Sequence, residues 1–560
     1  MVNTEMPSCA DTKPRPSRSK RGFGCEPASL CVIALLGTTV GLLARLREYV
    51  AARSLWIDEL LLVSPNLVRR SWLDLTRPLD NSQSAPILFL WAERAAVVLA
   101  GRSELALRAL PAVCGVAVAV AVWVVGRRLL GSREALVASM IASLAGLLIY
   151  YSNEVKQYGI DTFATIALVG VAVHVIEAPA TATRWWRLGV VSTMMLGLSQ
   201  ASVFVLPGVL GALALHPRLR GSTGLWTKLS IMVAVWGVTF FALYWLVYRT
   251  AAHDPGLLRV WSGTFLTLSG PDLRWRVHNA AHAVLAGPLA GDMRALSLWI
   301  LGLALATGIL RAGKVYGTWV AVLLLVPLIA LAGASMLGMY PITERFLLFA
   351  APLTCLAYSS SIALLADLFP AVMRASVIAA MAGAILVLSA TPAVDVVADP
   401  LAPLAGSPPR EESRDVVREA ARLTLGQPIY VTETGQAAWF FYSTSQTHPA
   451  PRARADSVHP VSCLIIGSDP NPDWNARQER FPRPTEAWAN AEVARMAAVA
   501  RPIVWLFSSH DDPAVVRGLL SAAHNRGAVV TYGHLEPGAA LYKLRFPARA
   551  DVAMPRAGSP

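Results

Sequence analysis

Residues 84–94 read Ser84-Ala85-Pro86-Ile87-Leu88-Phe89-Leu90-Trp91-Ala92-Glu93-Arg94, an apolar helix opened by a proline and carrying a charge pair at its middle. Whether this segment crosses a bilayer decides the sidedness of everything after it. A charge at the centre of a spanning helix costs roughly 2.5–3.5 kcal/mol on insertion scales. A helix lying in the interface avoids that cost. We therefore expect 84–100 to lie in the plane of the outer interface, with Glu93 and Arg94 as an interfacial ion pair. The rival reading, an ordinary crossing with the pair inside a bundle, inverts every later loop against the excess of Lys and Arg expected on the inner side.

Composition makes the membrane the solvent of most of the chain. Of 560 residues, 55% are hydrophobic and 15% charged, with mean hydropathy +0.49. Soluble domains carry about 25% charged residues. The net charge of +13 does not point to nucleic acid, because the Lys and Arg fall mainly in short connections between apolar helices. Apolar segments run near 29–47, 105–125, 134–151, 158–177, 187–199, 201–215, 226–248, 294–311, 316–337, 345–366 and 372–392. The basic connections are Arg127-Arg128 to Arg133, Arg184 to Arg187, Arg218 to Lys228, Arg311 to Lys314, and Arg374. With the basic N-terminal tail inside, all of these fall inside, giving eleven crossings. Segments 187–199 and 201–215 are short for the roughly 20 residues a span needs.

The expected fold class is an all-α polytopic membrane bundle of about eleven transmembrane helices, with in-plane outer-face helices, plus a C-terminal soluble α/β domain. Residues 1–28 form a disordered basic cytoplasmic tail, 29–392 the transmembrane domain and 393–409 a Pro-rich linker. Residues 410–548 are an extracytoplasmic α/β domain and 549–560 a disordered tail. The first helix reads as an uncleaved anchor, because no small-x-small cleavage site precedes Asp58. Glu411 to Leu425 reads as an amphipathic helix, and Pro428–Thr432, Val461–Ile466 and Ile503–Phe507 as strands suited to a parallel sheet. Asp512-Pro513 opens a helix with an N-cap and a proline at its first position. Six cysteines, Cys9, Cys25, Cys31, Cys114, Cys355 and Cys463, give no disulfide framework.

This topology collects ionisable groups on the outer face. The first loop offers Trp56-Ile57-Asp58-Glu59 and Asp80. The next outer mouth offers Tyr150-Tyr151-Ser152-Asn153-Glu154-Val155-Lys156-Gln157-Tyr158, and a later one Tyr340-Pro341-Ile342-Thr343-Glu344-Arg345. Ionisable groups at helix mouths are costly near lipid and mark functional sites. Asp58 is the candidate base, with Glu59 orienting it or sharing a divalent cation; the plainer reading is a helix cap. Lys156 and Arg345 suit a phosphate, Arg bidentately and Lys as a point charge, against the plainer reading of cations snorkelling to headgroups. Glu154 suits neutralising Lys156 or binding a substrate hydroxyl, Asp80 holding a substrate, and Tyr158 and Tyr340 packing on it, although interfacial tyrosine belts are common. Arg108 reads as an ion-pair anchor for the first-loop carboxylates. His253, His278 and His282 read as polar surface rather than a metal site, for want of a third clear ligand.

Taken with Leu107-Arg108-Ala109-Leu110-Pro111, Asp80 through Pro86, and Glu344-Arg345-Phe346, these motifs occur in an order that resembles the GT-C superfamily of polytopic glycosyltransferases. The branch is the one similar to protein O-mannosyltransferases, aminoarabinose transferases and rhizobial lipopolysaccharide sugar transferases. The resemblance covers roughly residues 30–350. It implies a polyprenyl-phosphate-sugar donor, an inverting transfer to a cell-envelope acceptor at the outer face of the cytoplasmic membrane, and a first-loop Asp that acts as base or orients the acceptor. Where the family usually has Asp-x-His-Pro-Pro this chain has Asp80-Asn81-Ser82-Gln83-Ser84-Ala85-Pro86, and the usual Gln-Glu-Ala-Arg reads Asn153-Glu154-Val155-Lys156. Sugar and acceptor stay unassigned. The competing readings are a transporter or flippase for a lipid-linked sugar, which would place charges at the bilayer midplane, and an assembly scaffold.

Overall fold

The computed structural model describes residues 27–547, apart from 223, 267–271, 402–403, 405–406, 408–409, 425, 444–463, 469–484 and 500. Residues 1–26 and 548–560, Cys9, Cys25, Cys463, part of the linker and the start of the Val461–Ile466 strand lie outside the described residues.

The chain is a multi-pass membrane protein built as a helical bundle with a small C-terminal sheet. Every apolar segment is helical: α1 (Ala28–Ala51), the short α2 (Ile57–Leu62), α3 (Ile87–Ala100), α4 (Glu104–Leu129), α5 (Ser132–Leu144), α6 (Gly146–Tyr151), α7 (Tyr158–Glu177), α8 (Ala182–Leu198) and α9 (Ser202–Leu215) come first. Leu225–Leu243, Leu298–Tyr316, Thr318–Met336, Ala351–Asp367 and Arg374–Ser389 follow. Among the described residues seven helices are long and apolar enough to cross a membrane, or eight if Arg374–Ser389 and Thr391–Ala398, bent by 49°, form one span. The expected 134–151 segment is broken at Ala145, and α8 and α9 have 17 and 14 residues. Length alone therefore supports fewer spans than the eleven expected. The bend between the last two helices places Pro392 in the first turn of the second, where its missing N–H costs nothing. That helix carries on to Ala398, into the stretch expected as linker.

Glycine lets the bundle close around the polar segment after α6. A Cβ at Gly115 in α4 would stand 2.1 Å from Cβ of Ser152, so the polar segment after α6 can lie directly on α4 only because residue 115 has no side chain.

Helix α3 corrects the expectation for its charge pair. Glu93 and Arg94 are not paired with each other. Consecutive helical residues point about 100° apart, and Glu93 faces inward, fully buried, with neither carboxylate oxygen hydrogen-bonded. Burial, with Glu59 nearby, holds its carboxyl well above the usual range. Arg94 turns the other way and donates to the carbonyls of Leu67 and Val68 at 2.7 and 2.9 Å.

The C-terminal sheet has strand order β2-β1-β3-β5-β4, with β1 Ile429–Val431, β2 Leu464–Ile466, β3 Ile503–Ser509, β4 Val529–Glu536 and β5 Ala539–Arg545. The first three strands are parallel, as their apolar runs suggest, but β5 and β4 add an antiparallel hairpin. Alternation along the strands divides the sheet's faces. Ile429, Val431, Trp505, Phe507 and Leu541 join the apolar core that continues into the bundle. Tyr430, Val504, Leu506, Tyr542 and Leu544 pack with helices Glu486–Ala498 and Pro513–Asn525. Asp512 caps the latter helix through Ala514 N at 2.7 Å.

Candidate functional site

Three helix mouths of the bundle meet at Asp58. Its residue lies in the first turn of α2, where a carboxylate complements the helix dipole. Lys156, just before α7, reaches Asp58 Oδ1 at 3.2 Å, and Arg345, at the start of the helical stretch leading into Ala351–Asp367, reaches Oδ2 at 2.9 Å. The Asp58 side chain keeps 20% of its surface exposed. Burial pushes its carboxyl up, but Lys156 and Arg345 outweigh burial and hold it below the usual carboxylate range.

Glu59 has a different environment. It is fully buried, and Arg108 grips it with Nε–Oε1 3.1 Å and Nη2–Oε2 2.7 Å. The backbone N–H groups of Val155 (2.8 Å) and Trp56 (3.2 Å) fill its remaining positions. Arg108 also donates to the carbonyls of Arg53 and Ser54. This one buried pair fastens the first loop to α4 and to the 152–157 segment. It also speaks against a divalent cation shared by Asp58 and Glu59: Glu59 has no oxygen left to give, and Asp58 is flanked by two cations that repel another. Among the described residues no group of three or more His, Cys, Asp or Glu is placed to hold a metal.

Glu154 does not neutralise Lys156. One of its oxygens accepts from Trp56 Nε1 at 2.8 Å, and the other is buried without a partner. Burial, then the charges of Glu59 and Asp58, raise its carboxyl to about 8. Asp80 turns away from the cluster to Arg70 at 2.9 Å and is half exposed. Arg345 lies in an aromatic cage, 4.8 Å from the Trp261 ring, 5.5 Å from Phe346 and 5.9 Å from Tyr158. Tyr340 extends that cage, with Phe346 at 5.7 Å and Phe204 at 4.9 Å. His282 pairs with Glu344.

Two contributors escaped the sequence reading. Gln83 Oε1 accepts from Lys156 Nζ at 2.7 Å; it lies in the Asp80–Pro86 stretch, where only Asp80 stood out. Trp261 belongs to the long loop before the eighth apolar segment and carries no pattern that marks it. Deeper in, Glu154 Oε2, Gln157 Oε1, Asp161 Oδ1 and the Tyr248 hydroxyl are buried with no hydrogen-bond partner. Buried polar atoms left unpaired are rare and call for a ligand or water.

The C-terminal sheet region touches the same loop. Leu55 N donates to the Tyr442 hydroxyl at 2.7 Å, Ser54 Oγ to Glu412 at 2.9 Å, and Ile57 N to Glu411 Oε2 at 3.0 Å. Arg414 reaches the Ala52 carbonyl at 2.8 Å and Glu104 at 3.0 Å.

Against known proteins, residues 84–245 match the family described as dolichyl-phosphate-mannose-protein mannosyltransferase. No curated protein sequence matches the chain. The structure is similar to that of ArnT from Cupriavidus metallidurans bound to undecaprenyl phosphate, with 13% identity, TM-score 0.47, and 92% of this chain and 97% of that one covered. It is also similar to the Archaeoglobus fulgidus oligosaccharyltransferase tethered to an acceptor peptide containing the NVT sequon, with 12% identity, TM-score 0.50, and 90% and 72% covered. The chain has the fold of the GT-C membrane glycosyltransferases.

Proposed function

We propose that this protein transfers a sugar, with inversion, from a polyprenyl-phosphate-linked donor to a hydroxyl of a cell-envelope acceptor. The work is done at the outer face of the cytoplasmic membrane, with the N-terminus cytoplasmic and the C-terminal domain extracytoplasmic. The observation that carries the reading is the single cluster of Asp58, Lys156 and Arg345 at helix mouths of a chain with this fold. Its neighbours' ligands suit that chemistry: undecaprenyl phosphate in the ArnT structure, and dolichol phosphate with an inhibitory peptide in the archaeal oligosaccharyltransferase AglB.

Transfer needs a carboxylate for the acceptor proton and cations for charge growing on the leaving phosphate. With no donor bound, Lys156 and Arg345 neutralise Asp58. A phosphate arriving between the cations competes for them and frees the carboxylate. The acceptor oxygen then attacks the anomeric carbon, its proton passes to Asp58, and the carbon–oxygen bond to phosphate breaks with its electron pair leaving on polyprenyl phosphate. Glu59 is assigned to holding the loop rather than to the chemistry, because Arg108 and two N–H groups occupy it. The unpaired atoms of Glu154, Gln157, Asp161 and Tyr248 suit the hydroxyls of a sugar, and the cage of Tyr158, Tyr340, Phe346 and Trp261 suits its apolar face or the lipid chain.

The test is direct. Purified protein in detergent, given polyprenyl-phosphate sugars and an envelope fraction, releases polyprenyl phosphate, and Asp58→Asn loses that release while remaining folded. Transport of the lipid-linked headgroup with no transfer at all favours the flippase reading instead.

A further inference from the structure

Glu411 does two things at once. One carboxylate oxygen accepts the backbone N–H of Ile57, the residue before Asp58, at 3.0 Å. The other is hydrogen-bonded to Nδ1 of His510. His510 lies at the end of β3, and its ring meets the Trp56 ring edge-on at 6.5 Å between centroids. A residue of the C-terminal domain is thus tied, through one carboxylate, to the helix turn that presents the candidate base.

The pair is built rather than incidental. Glu411 is 3% exposed while His510 keeps 38% of its side chain open. His510 has φ +61°, a left-handed conformation that a non-glycine residue adopts at a cost and that the surroundings must hold in place. Its N–H bonds to the carbonyl of Gly538 at 3.1 Å. Gly538 itself has φ +70°, and a Cβ there would stand 2.8 Å from Glu411 Cγ, so the β4–β5 turn can lie over Glu411 only as glycine.

With Nδ1 fixed on a carboxylate, a neutral imidazole carries its proton there and turns the Nε2 lone pair outward, the orientation logic of any carboxylate–histidine pair. Among the described residues nothing holds Nε2. We infer that His510, oriented by Glu411, forms the acceptor side of the site, with Nε2 accepting a hydrogen bond from a hydroxyl of the incoming acceptor. The inference rests on the glycosyltransferase reading and extends it to the acceptor. The proton lost in transfer still goes to Asp58; His510 only holds the hydroxyl-bearing molecule against the first loop.

The charged groups around His510 are Glu411 and Asp511 on its own side and Asp58 across the loop. Behind Trp56 lies Glu154. Burial lowers the imidazole's affinity for a proton, but its bond and charge interaction with Glu411 outweigh burial and raise it above the usual range. A protonated imidazole cannot accept at Nε2. Acceptor binding therefore weakens as pH falls through that raised value.

The experiment uses the full-length protein in detergent, labelled polyprenyl-phosphate sugar, and as acceptor probe the envelope fraction of cells lacking the protein. For His510→Gln the expected result is a five- to twentyfold rise in the half-saturating amount of envelope fraction, with the KM for donor unchanged. The acid-side loss of acceptor binding disappears in that variant, which excludes Glu154 as its source. Glu411→Gln keeps an acceptor for Ile57 N–H and shifts the acid-side loss to lower pH. Equal melting temperatures for the three proteins set folding aside. Unchanged acceptor dependence in His510→Gln, or a donor KM that moves in step with it, overturns the inference while leaving the glycosyltransferase reading intact. A wild-type protein that releases no polyprenyl phosphate removes that reading, and the role of His510 falls with it.

Discussion

Asp58 Oδ2 lies 2.9 Å from Arg345 Nη1, a contact between residues 287 positions apart in sequence. It joins the first loop to the mouth of a late helix, and Lys156 closes the cluster on the other oxygen at 3.2 Å. The cations set the proton affinity of the carboxylate, so removing one changes the pH dependence in a known direction. Burial alone disfavours the charged carboxylate, and the two cations reverse that. In Lys156→Met the balance moves back toward burial and the Asp58 pKa rises. The acid limb of kcat/KM, which reports the free enzyme, moves to higher pH by about one unit, corresponding to ~1.4 kcal/mol of lost interaction. A pH profile of polyprenyl phosphate release checks it.

Arg345 is held by planar rings, so its replacement by Lys is not conservative. Lys keeps the charge but loses both the bidentate fork and the flat face that stacks on Trp261. Arg345→Lys is expected to lower kcat/KM roughly tenfold or more, in line with about 1.4 kcal/mol per tenfold. Trp261→Leu, which leaves the guanidinium but removes a cation–π contact worth about 0.5–2 kcal/mol, raises the donor KM two- to thirtyfold. Initial rates at varied donor concentration separate the two.

Glu59 and Arg108 form a buried pair, 0% and 2% exposed. Breaking such a pair from one side leaves an uncompensated charge and costs about 3–5 kcal/mol. Arg108→Ala is expected to lower the melting temperature of the detergent-solubilised protein sharply. Asp58→Asn, in a partly exposed cluster, lowers it far less while abolishing turnover. Comparing the two melting curves tests whether the adjacent carboxylates have separate jobs.

The docking of the C-terminal sheet region on the first loop gives a milder prediction. Tyr442→Phe leaves the buried Leu55 N–H without its acceptor, at a cost of about 1–3 kcal/mol. The loop carrying Asp58 is then held less firmly. The measurable result is a modest fall in melting temperature accompanied by a fall in kcat, with the donor KM little changed.

Much of this arrangement can be read in the sequence, because lipid punishes misplaced charge. Asp58, Lys156 and Arg345 stand out as ionisable groups at helix mouths, and the basic loops assign those mouths to one face. Which of two adjacent carboxylates faces the opening cannot be read that way. Asp58 and Glu59 differ by 100° of helical phase in a six-residue helix, and only packing against Arg108 fixes that phase. The same phase problem hides Glu93, which looks like an interfacial partner of Arg94 and is instead a buried acid without a hydrogen-bond partner. Glu411 and His510 are invisible for another reason. Their partners in the first loop lie more than 350 residues away in the chain, and no local sequence pattern announces a contact of that range.

The central claim is that Asp58 and the donor phosphate compete for Lys156 and Arg345. It is tested most directly by measuring the affinity of undecaprenyl phosphate for wild type and Asp58→Asn in the same detergent. The account predicts that Asp58→Asn, having lost the competing anion, binds the lipid phosphate more tightly than wild type while transferring no sugar. Weaker binding by Asp58→Asn together with retained turnover would contradict it.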